Sequence, residues 1–598
     1  MVELKKPFVK CTRSDALGCR MIAILSAFWT AKKLGYNFYF SWLENIDFFV
    51  PNKAQILESL KKEDKNARVD LVNIIKAKEI FAESFLKEHL IDETHGLELN
   101  FPYGSSLESL KEMQEVEYSQ GCTPDVAFSD VDKSSWQEIA EIYKNDIAWS
   151  KKASEVLNAV SAAAKERERE KGFIALHIRG GEFIHAYTET LEFSKDYIFY
   201  YEIAYEIARR KLEEGYFVIL FSQDLSTTLT LRDKLRSDLN TNSIEVAENI
   251  GKGYDIQWQS FFDINLLSYA KEIYATGTSG FTRFAQLICG KEITTPYSKV
   301  LNTQEQYEII KKYIDYLNLP DAYKAASLYY LYTLSRELGL NAESKSYIKR
   351  ALELYPQNAG FFNALNDCYF REEKPQIVES QLKKATKCGR LAHIAQNLYS
   401  VAPWELRKYE KFYTQYLKNA TQNYPHICYV AAHIYLYVRK DSAHALEMLN
   451  KINLDSKEFY ALKASALESL LNSQAQQAIN VESQINAAFL EPSACERVKS
   501  HLAYKLGRAA IDNTKSLLGW IRILYVLSYI KESHKAIPHT KKLESLPDFK
   551  KALKIKESLV YKIGEVLKES SKIPLLFKGV WLWKNIKKVQ KEHKGGVK

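Results

Sequence analysis

The sequence predicts a parallel α/β region in the first half of the chain and an all-α region in the second. Residues 172–300 alternate between short apolar runs and longer amphipathic segments, a pattern that indicates βαβ units and a parallel sheet. After about residue 318 the apolar runs disappear and helical periodicity continues. A chain of 598 residues, 46% of them hydrophobic, is long enough for several domains with cores of their own.

The composition argues against a disulfide-rich secreted protein and against a membrane-spanning protein. The eight cysteines are scattered without a Cys-x-x-Cys pair or a Cys/His cluster, which favours reduced thiols over a disulfide framework or a zinc site. The first residues contain no signal-peptide core, and no window approaches the roughly 20 apolar residues of a membrane span. We therefore expect a cytoplasmic protein.

The first elements are predicted as a strand at 7–10, a small-residue loop at 13–20, a helix at 21–34 and a strand at 36–42. A loop that leads from a first strand into a helix N-terminus is a natural anion or ligand site. The alternative is that Gly18 only eases the turn.

Residues 43–165 are less regular, with helices expected at 54–60, 69–89 and 134–168 and a mixed segment at 98–118. Asp130 and Asp132 match a metal-binding Asp-x-Asp motif. A helix that starts near Ser134 explains the two carboxylates equally well. We therefore expect no metal site there.

Polar residues follow three strands of the central region. The strand at 173–178 contains His177 near its end and leads into Arg179 and a Gly-Gly break, and the strand at 216–222 leads into Gln223 and Asp224. The strand at 272–275 leads into the Gly/Ser/Thr-rich segment 276–283, which enters a helix. Parallel strands place these ends on one edge of the sheet, and the N–H groups of the last segment can hold a diphosphate. The sequence therefore predicts a nucleotide site at this edge.

Four of these segments resemble, in order, the motifs of the fucosyltransferase superfamily with the GT-B fold, which includes α-1,6-, nodulation and protein O-fucosyltransferases. His177-Ile-Arg-Gly-Gly-Glu182 resembles the His-x-Arg motif, and residues 14–20 resemble the N-terminal glycine loop. Residues 222–224 resemble the strand end near the nucleoside, and residues 279–285 resemble the Ser-x-Phe-Ser motif near the diphosphate. Asp263 matches an Asp that precedes that motif.

The resemblance implies a GT-B fold of two Rossmann-like lobes, with an acceptor lobe at 1–168 and a nucleotide-sugar lobe at 169–318. It implies an inverting, metal-independent transfer without a cofactor, with GDP-fucose as the expected donor and another GDP-sugar or other nucleoside-diphosphate sugar, such as a heptose, as the alternative. Arg179 would stabilise the leaving diphosphate, and Glu182 and Asp15 are the candidate bases. The expected donor contacts are His177, Gly18, Arg20, Gln223, Asp224, Asp263, Thr278, Ser279, Gly280, Phe281, Thr282 and Arg283.

Residues 319–535 are predicted to form a tetratricopeptide-like helical solenoid. Ala351 and Ala385 lie 34 residues apart, the length of that repeat, and looser helix pairs follow at 426–438 with 442–449 and at 458–471 with 475–489. Such an array is a platform for an acceptor, a protein partner or self-association, or else a rigid spacer. A scaffold with a catalytically silent α/β half is the remaining alternative.

The tail 536–598 is predicted to be helical, basic and amphipathic, with eight lysines and one glutamate in residues 571–598. That pattern favours peripheral binding to an anionic membrane surface, and a solvated tail or a solenoid cap is the alternative. A lipid-linked glycan acceptor in the synthesis of a bacterial surface polysaccharide fits this location. No nucleic-acid recognition fold is present, so we expect no nucleic-acid partner.

Overall fold

A computed structural model of the chain divides into two compact units, Met1–Leu467 and Glu468–Lys598. Side chains of residues 474–489 lie outside the description. The residues described are 4–44, 54, 56–58, 74–91, 104–118, 121–168, 171–251, 253–454, 456–489, 493–513, 526–534, 542–569, 584, 585, 587–589, 591 and 592.

The first unit begins with a sheet of three parallel strands in the order β2-β1-β3. They are β1 (Phe8–Cys11), β2 (Asn37–Phe40) and β3 (Glu115–Tyr118). Helix α1 (Leu17–Leu34) connects β1 to β2 and ends at Gly35, whose φ of 72° is the left-handed conformation that glycine adopts without strain. The predicted strand, helix and strand are present. The third strand was not predicted, because it is four residues long and alternates with glutamates.

Helix α1 begins four residues earlier than predicted, so half of the expected loop is helical. Leu17 and Met21 are both buried, and this apolar spacing of four continues the buried face of the helix into the segment. As a consequence Gly18, Cys19 and Arg20 lie in the first helical turn.

Short helices follow in the first lobe. The predicted helix at 69–89 is interrupted at Phe81, which forms an antiparallel bridge with Trp149. The predicted helix at 54–60 lies largely outside the described residues. The helices are α2 (Ala77–Ile80), α3 (Glu83–His89), α4 (Pro124–Ala127), α5 (Ser135–Asn145) and α6 (Lys151–Glu168), with a 3-10 helix at Glu108–Glu112.

The second sheet has five parallel strands in the order β6-β5-β4-β7-β8. The chain enters at the central strand, builds outward to one side and then crosses to the other, so the order reverses between β4 and β7. Ligands of open α/β sheets bind at such a reversal, beyond the carboxyl ends of the strands. The strands are β4 (Phe173–Ile178), β5 (Phe217–Ser222), β6 (Ile244–Val246), β7 (Glu272–Ala275) and β8 (Thr294–Pro296).

The prediction of a parallel sheet is confirmed. The short strand β8 was not predicted. Two 3-10 helices, Thr188–Thr190 and Lys195–Tyr197, lie between β4 and β5. The helices of this lobe are α7 (Gly181–His185), α8 (Leu191–Ser194), α9 (Tyr201–Glu213), α10 (Leu225–Leu239), α11 (Ala247–Ile250), α12 (Ile256–Leu267), α13 (Gly280–Cys289) and α14 (Tyr297–Val300).

The chain from residue 303 to the end of the first unit is helical, as predicted, and neighbouring helices pack on one another. The predicted helices at 458–471 and 475–489 are instead one continuous helix. The helices are α15 (Thr303–Tyr313), α16 (Asp321–Glu337), α17 (Asn341–Leu354), α18 (Ala359–Arg371), α19 (Pro375–Lys387), α20 (Leu391–Asn397), α21 (Glu410–Asn419), α22 (Pro425–His433), α23 (Ser442–Asn450) and α24 (Lys457–Phe489), with a 3-10 helix at Pro403–Tyr409 and a π-helix at Ile434–Val438.

One hydrophobic core runs from the second sheet into the helices after residue 318. Leu176 and Leu220 of the sheet belong to the same buried cluster as Tyr329 and Phe361 of α16 and α18. The hydroxyl of Tyr329 donates to the buried Glu192 at 2.7 Å. The α/β lobe and these helices therefore bury one another.

The second unit contains α25 (Ala494–Ser500), α26 (Leu502–Asn513), α27 (Phe549–Glu557) and α28 (Leu559–Glu569), with a 3-10 helix at Leu543–Ser545. The backbones of α26 and α28 are in close contact at Gly507, where a Cβ would overlap the carbonyl of Val560. The predicted membrane-binding tail, 571–598, lies largely outside the described residues. Among the helices that the structure describes, none has the length and hydropathy to cross a membrane.

Arg20 is a core residue of the first lobe. Its Nε donates to the carbonyl of Asp15 at 3.0 Å and its Nη1 to the carbonyl of Leu43 at 2.8 Å. Its guanidinium lies 4.6 Å from the ring centroid of Trp42, and burial lowers its pKa to about 10. The predicted donor contact of Arg20 is thus replaced by a structural role, because the early start of α1 turns its side chain into the core.

We expect Arg20→Ala to lower the free energy of unfolding by about 3 kcal/mol, because it leaves a cavity and two carbonyls without their donor. Urea denaturation measures the change. As a control, Lys33→Ala removes an exposed ion pair with Glu138 and should cost less than about 1 kcal/mol. Equal losses in both variants would contradict the structural role of Arg20.

Candidate active site

A cavity of about 220 Å³ opens at the carboxyl ends of β4, β5 and β6, beside the first turn of α1. Sites for small molecules span roughly 300–1,000 Å³, so a nucleotide sugar would project from this one. Nine of the predicted site residues line it: Gly18, His177, Arg179, Glu182, Gln223, Asp263, Ser279, Gly280 and Phe281. The three polar strand ends and the first glycine loop therefore meet at one cavity.

The N-termini of α1 and α13 meet at the wall of this cavity. A Cβ on Gly18 would lie 2.6 Å from the carbonyl carbon of Gly280, and a Cβ on Gly280 would overlap the Sγ of Cys19. Neither helix has an acidic residue in its first turn, and the described residues provide no side-chain cap for α1. Two positive helix ends and their N–H groups thus favour an anion at this point.

Arg179 lies on the cavity wall and is ion-paired. Its Nη2 donates to Oε1 of Glu182 at 3.1 Å, and both side chains are mostly buried. Its guanidinium carbon lies 4.3 Å from the ring centroid of Phe183 and 5.7 Å from that of Tyr197. An incoming diphosphate would compete with Glu182 for the same planar donor set.

His177 is buried in its neutral form beside the arginine. Its ring stacks on Phe281 with centroids 5.3 Å apart and an interplanar angle of 11°. Burial, helped by the charge of Arg179, lowers the pKa of His177 to about 3. Its Nδ1 has no hydrogen-bond partner among the described residues. A neutral ring at this position can donate or accept one hydrogen bond, and the neighbouring arginine supplies the positive charge.

The wall of the cavity also carries carboxylates and amides. Asp263 accepts a 2.7 Å hydrogen bond from Nε2 of Gln259, and Glu248 lies on the same wall. Sequence reasoning missed Cys19, Glu248, Tyr254, Gln259 and Ser260. The rule about strand ends would have found Glu248, since it follows β6, whereas Gln259 and Ser260 lie inside α12 and carry no such signal.

Six predicted contacts do not line the cavity. Asp224 is the N-cap of α10, and its carboxylate accepts from the N–H of Thr227 at 3.0 Å and the hydroxyl of Ser226 at 2.6 Å. Its side chain is therefore used within the fold. Asp15 is paired with Arg13, and Arg20 lies in the core as described.

Of the remaining three, Thr278 lies in the segment that leads into α13, and Thr282 and Arg283 lie in the first turn of that helix. The hydroxyl of Thr278 lies 3.2 Å from that of Thr276, and Thr282 donates to the carbonyl of Ser279 at 3.2 Å. Nη2 of Arg283 lies 3.6 Å from the Sγ of Cys19, so the guanidinium braces the meeting point of α1 and α13 from behind.

The carboxylates of Asp130 and Asp132 are used by the backbone. Asp130 accepts from the N–H of Leu107 at 2.7 Å, and Asp132 accepts from the N–H of Ser134 at 2.8 Å. In the part of the chain that the structure describes, no three His, Cys, Asp or Glu residues are grouped as metal ligands. Both carboxylates thus accept hydrogen bonds from backbone N–H groups, and that of Asp132 does so just before a helix, as the alternative interpretation expects.

Fucosyltransferases are among the solved structures that show low similarity to this chain. The fucosyltransferase NodZ from Bradyrhizobium is 13% identical with a TM-score of 0.27, over 48% of this chain and 94% of that chain. NodZ α-1,6-fucosyltransferase crystallised with GDP is 14% identical with a TM-score of 0.26, over 48% and 93%. POFUT1 in complex with GDP-fucose is 12% identical with a TM-score of 0.27, over 49% and 99%.

At these TM-scores the likeness carries no argument about activity. A protein-family profile described as a domain of unknown function (DUF8374) matches residues 433–595. No curated protein matches the chain in sequence.

The low pKa of His177 predicts that the folded chain loses stability as the pH falls. Because about 3 in the folded chain is below the usual 6.5, the unfolded chain takes up the proton first, so stability present above pH 6.5 is lost as the pH falls toward 3. Between pH 6 and 4, the free energy of unfolding should fall by about 1.4 kcal/mol per pH unit more steeply in the parent protein than in His177→Gln.

Urea denaturation at several pH values measures both slopes. Burial also lowers the pKa of His433 to about 3, so His433→Gln should flatten the curve to the same extent. Parallel curves for the parent and His177→Gln would show that the imidazole is not buried in its neutral form.

Proposed function

We propose that this chain is a glycosyltransferase of GT-B architecture that moves a sugar, fucose or a close relative, from a GDP-sugar to a glycan hydroxyl, with inversion and without a bound metal. The observation that carries the proposal is the convergence of Arg179 and two helix N-termini on one cavity at the carboxyl edge of a parallel sheet. The order of the four sequence motifs supports the same conclusion.

The chemistry explains why these groups suit glycosyl transfer. Negative charge grows on the diphosphate as the bond to the sugar breaks, and preorganised donors at that position lower the barrier. The guanidinium of Arg179 supplies two parallel N–H donors, and the first turns of α1 and α13 supply backbone N–H groups. Together they can provide the charge stabilisation that a metal ion provides in other transferases.

The part of the cavity wall that carries carboxylates favours guanine among the common bases. Guanine presents two adjacent N–H donors, at N1 and at the exocyclic amine, which match the two oxygens of one carboxylate. Glu248 and Asp263 place two carboxylates on this part of the wall. Uracil and cytosine offer no such pair of donors, so the donor is proposed to be a GDP-sugar.

The acceptor hydroxyl must lose a proton, and Glu182 is the better placed of the two predicted bases. Glu182 lines the cavity, whereas Asp15 is held by Arg13 outside it. A diphosphate that takes over the guanidinium of Arg179 would leave Glu182 free to accept the proton. The two residues would thus exchange partners during the reaction.

The rest of the chain fits a cytoplasmic enzyme that works at a membrane surface. The 34-residue spacing of Ala351 and Ala385 supports a tetratricopeptide-like array, and the eight lysines of 571–598 support contact with an anionic membrane. A lipid-linked precursor of a bacterial surface polysaccharide is the proposed acceptor.

Arg179→Ala is expected to weaken GDP binding and donor hydrolysis by about 100-fold, because the departing diphosphate loses its main counter-charge. Arg179→Lys should recover only part of the loss, since an ammonium lacks the planar pair of donors. Calorimetry with GDP, UDP and CMP measures nucleotide binding, and hydrolysis assays with GDP-fucose and a GDP-heptose measure turnover of the donor. Binding of GDP alone supports the proposal, and the absence of binding by all three nucleotides favours a scaffold.

The base assignment predicts different outcomes for two carboxamide variants. Glu182→Gln should lower kcat by about 100-fold or more while GDP still binds, because the carboxamide cannot accept the proton. Asp15→Asn should change kcat by less than about threefold, because this residue lies off the cavity. The rate of transfer to water as a function of pH provides the measurement. The reverse ranking of the two variants would exclude Glu182 as the base.

A further inference from the structure

A long loop follows Arg179, and its far end is hydrogen-bonded back to that residue. Residues 180–198, here called the arginine loop, leave the sheet after Arg179, and the N–H of Phe199 returns to donate to the carbonyl of Arg179 at 2.7 Å. The regular elements of the loop are two helices, α7 and α8, and two 3-10 helices, each of three to five residues. Helices this short are not stable by themselves, so the loop depends on its neighbours.

The arginine loop supplies several contacts of the guanidinium of Arg179. Glu182 accepts its hydrogen bond, and the rings of Phe183 and Tyr197 both lie near it. These two rings stack on each other with centroids 5.0 Å apart and an interplanar angle of 11°. The direction of the guanidinium is therefore set by the position of this loop.

The tip of the arginine loop is fixed by helices that follow residue 358. Nδ2 of Asn358 donates to the carbonyl of Thr188 at 2.9 Å, and Nδ2 of Asn397 donates to the carbonyl of Glu189 at 2.7 Å. Both asparagines are buried. A Cβ on Gly360 would overlap the carbonyl of Glu189, so only glycine allows α18 to approach this closely.

A buried charge cluster holds the next part of the loop. Glu192 accepts from Lys411 at 2.7 Å and from Tyr329 at 2.7 Å, and it pairs with Lys195 at 2.9 Å. Burial alone would raise the pKa of Glu192, but the two lysines outweigh it and hold the pKa at about 2. Nζ of Lys408 also donates to the carbonyl of Phe193 at 3.1 Å.

We propose that the helices from α16 to α21 are a working part of the donor site, since their contacts to Thr188, Glu189 and Glu192 set the orientation of Arg179. The proposal rests on the proposed function, because it assigns these contacts to diphosphate binding. Asn358, Gly360 and Asn397 are positioning residues that act through the arginine loop. A displacement of a charged group by about 1 Å can cost roughly 100-fold in rate, so a modest shift of the loop would be felt at the cavity.

The test uses Asn397→Ala and Gly360→Ala in the full chain. Asn366→Ala is the matched control, because Asn366 is buried in the same helix as Gly360 and donates to Tyr416 at 2.8 Å rather than to a residue of the arginine loop. We expect the first two variants to weaken GDP binding and to lower kcat/KM for GDP-fucose hydrolysis at least tenfold. The control should keep both within about twofold at a similar loss of thermal stability.

A double-mutant cycle separates positioning from general destabilisation. In an Arg179→Ala background, Asn397→Ala should have almost no further effect on GDP affinity, since the group that it positions is gone. An equal effect in both backgrounds would overturn the proposal.

Hydrogen exchange in the arginine loop gives a readout that does not depend on catalysis. Asn397→Ala and Gly360→Ala should speed exchange of the amides in residues 180–199, including that of Phe199, and Asn366→Ala should not. Unchanged exchange in this loop would overturn the proposal that Asn397 and Gly360 hold it in place, even if GDP binds. Increased exchange in a protein that binds no nucleotide would instead overturn the proposed function and keep the mechanical link.

Discussion

Two helix N-termini approach each other with no room for a side chain between them, and the candidate active site depends on that contact. Gly18 lies in the first turn of α1, which connects two strands of the three-stranded sheet, and Gly280 is the first residue of α13, which follows β7 of the five-stranded sheet. The contact joins the two α/β lobes beside the ends of the strands. It also directs the positive ends of both helices toward the space in which Arg179 lies.

The parts of the site that follow from topology could be predicted from the sequence. His177, Arg179 and Ser279 follow apolar runs in a βαβ pattern, and parallel pairing then places them on one edge. Predictions that needed the direction of a side chain were less successful. Asp224 follows a strand as expected, but its carboxylate caps the next helix, and Arg20 turns inward because α1 begins early.

Short or weakly patterned elements account for the other differences. Strands β3 and β8 contain no apolar run, since β3 alternates with glutamates and β8 is Thr-Thr-Pro. Helix α24 is continuous through a segment in which a turn between two helices was expected. The local sequence pattern did not reveal that the helix continues there. The contacts of Asn358 and Asn397 with the arginine loop join residues about 170 and 208 positions apart, and no local pattern reports such contacts.

The ion pair between Arg179 and Glu182 has a consequence for the end of the proposed cycle. A guanidinium in a partly buried wall would be poorly solvated after the spent nucleotide departs, and that penalty would slow its departure. Arg179 is paired with the adjacent carboxylate of Glu182 in the structure. In the proposed cycle this carboxylate would take over the charge as the nucleotide leaves, so the chain would carry its own counter-ion, which would weaken retention of the by-product and return the site to its starting state.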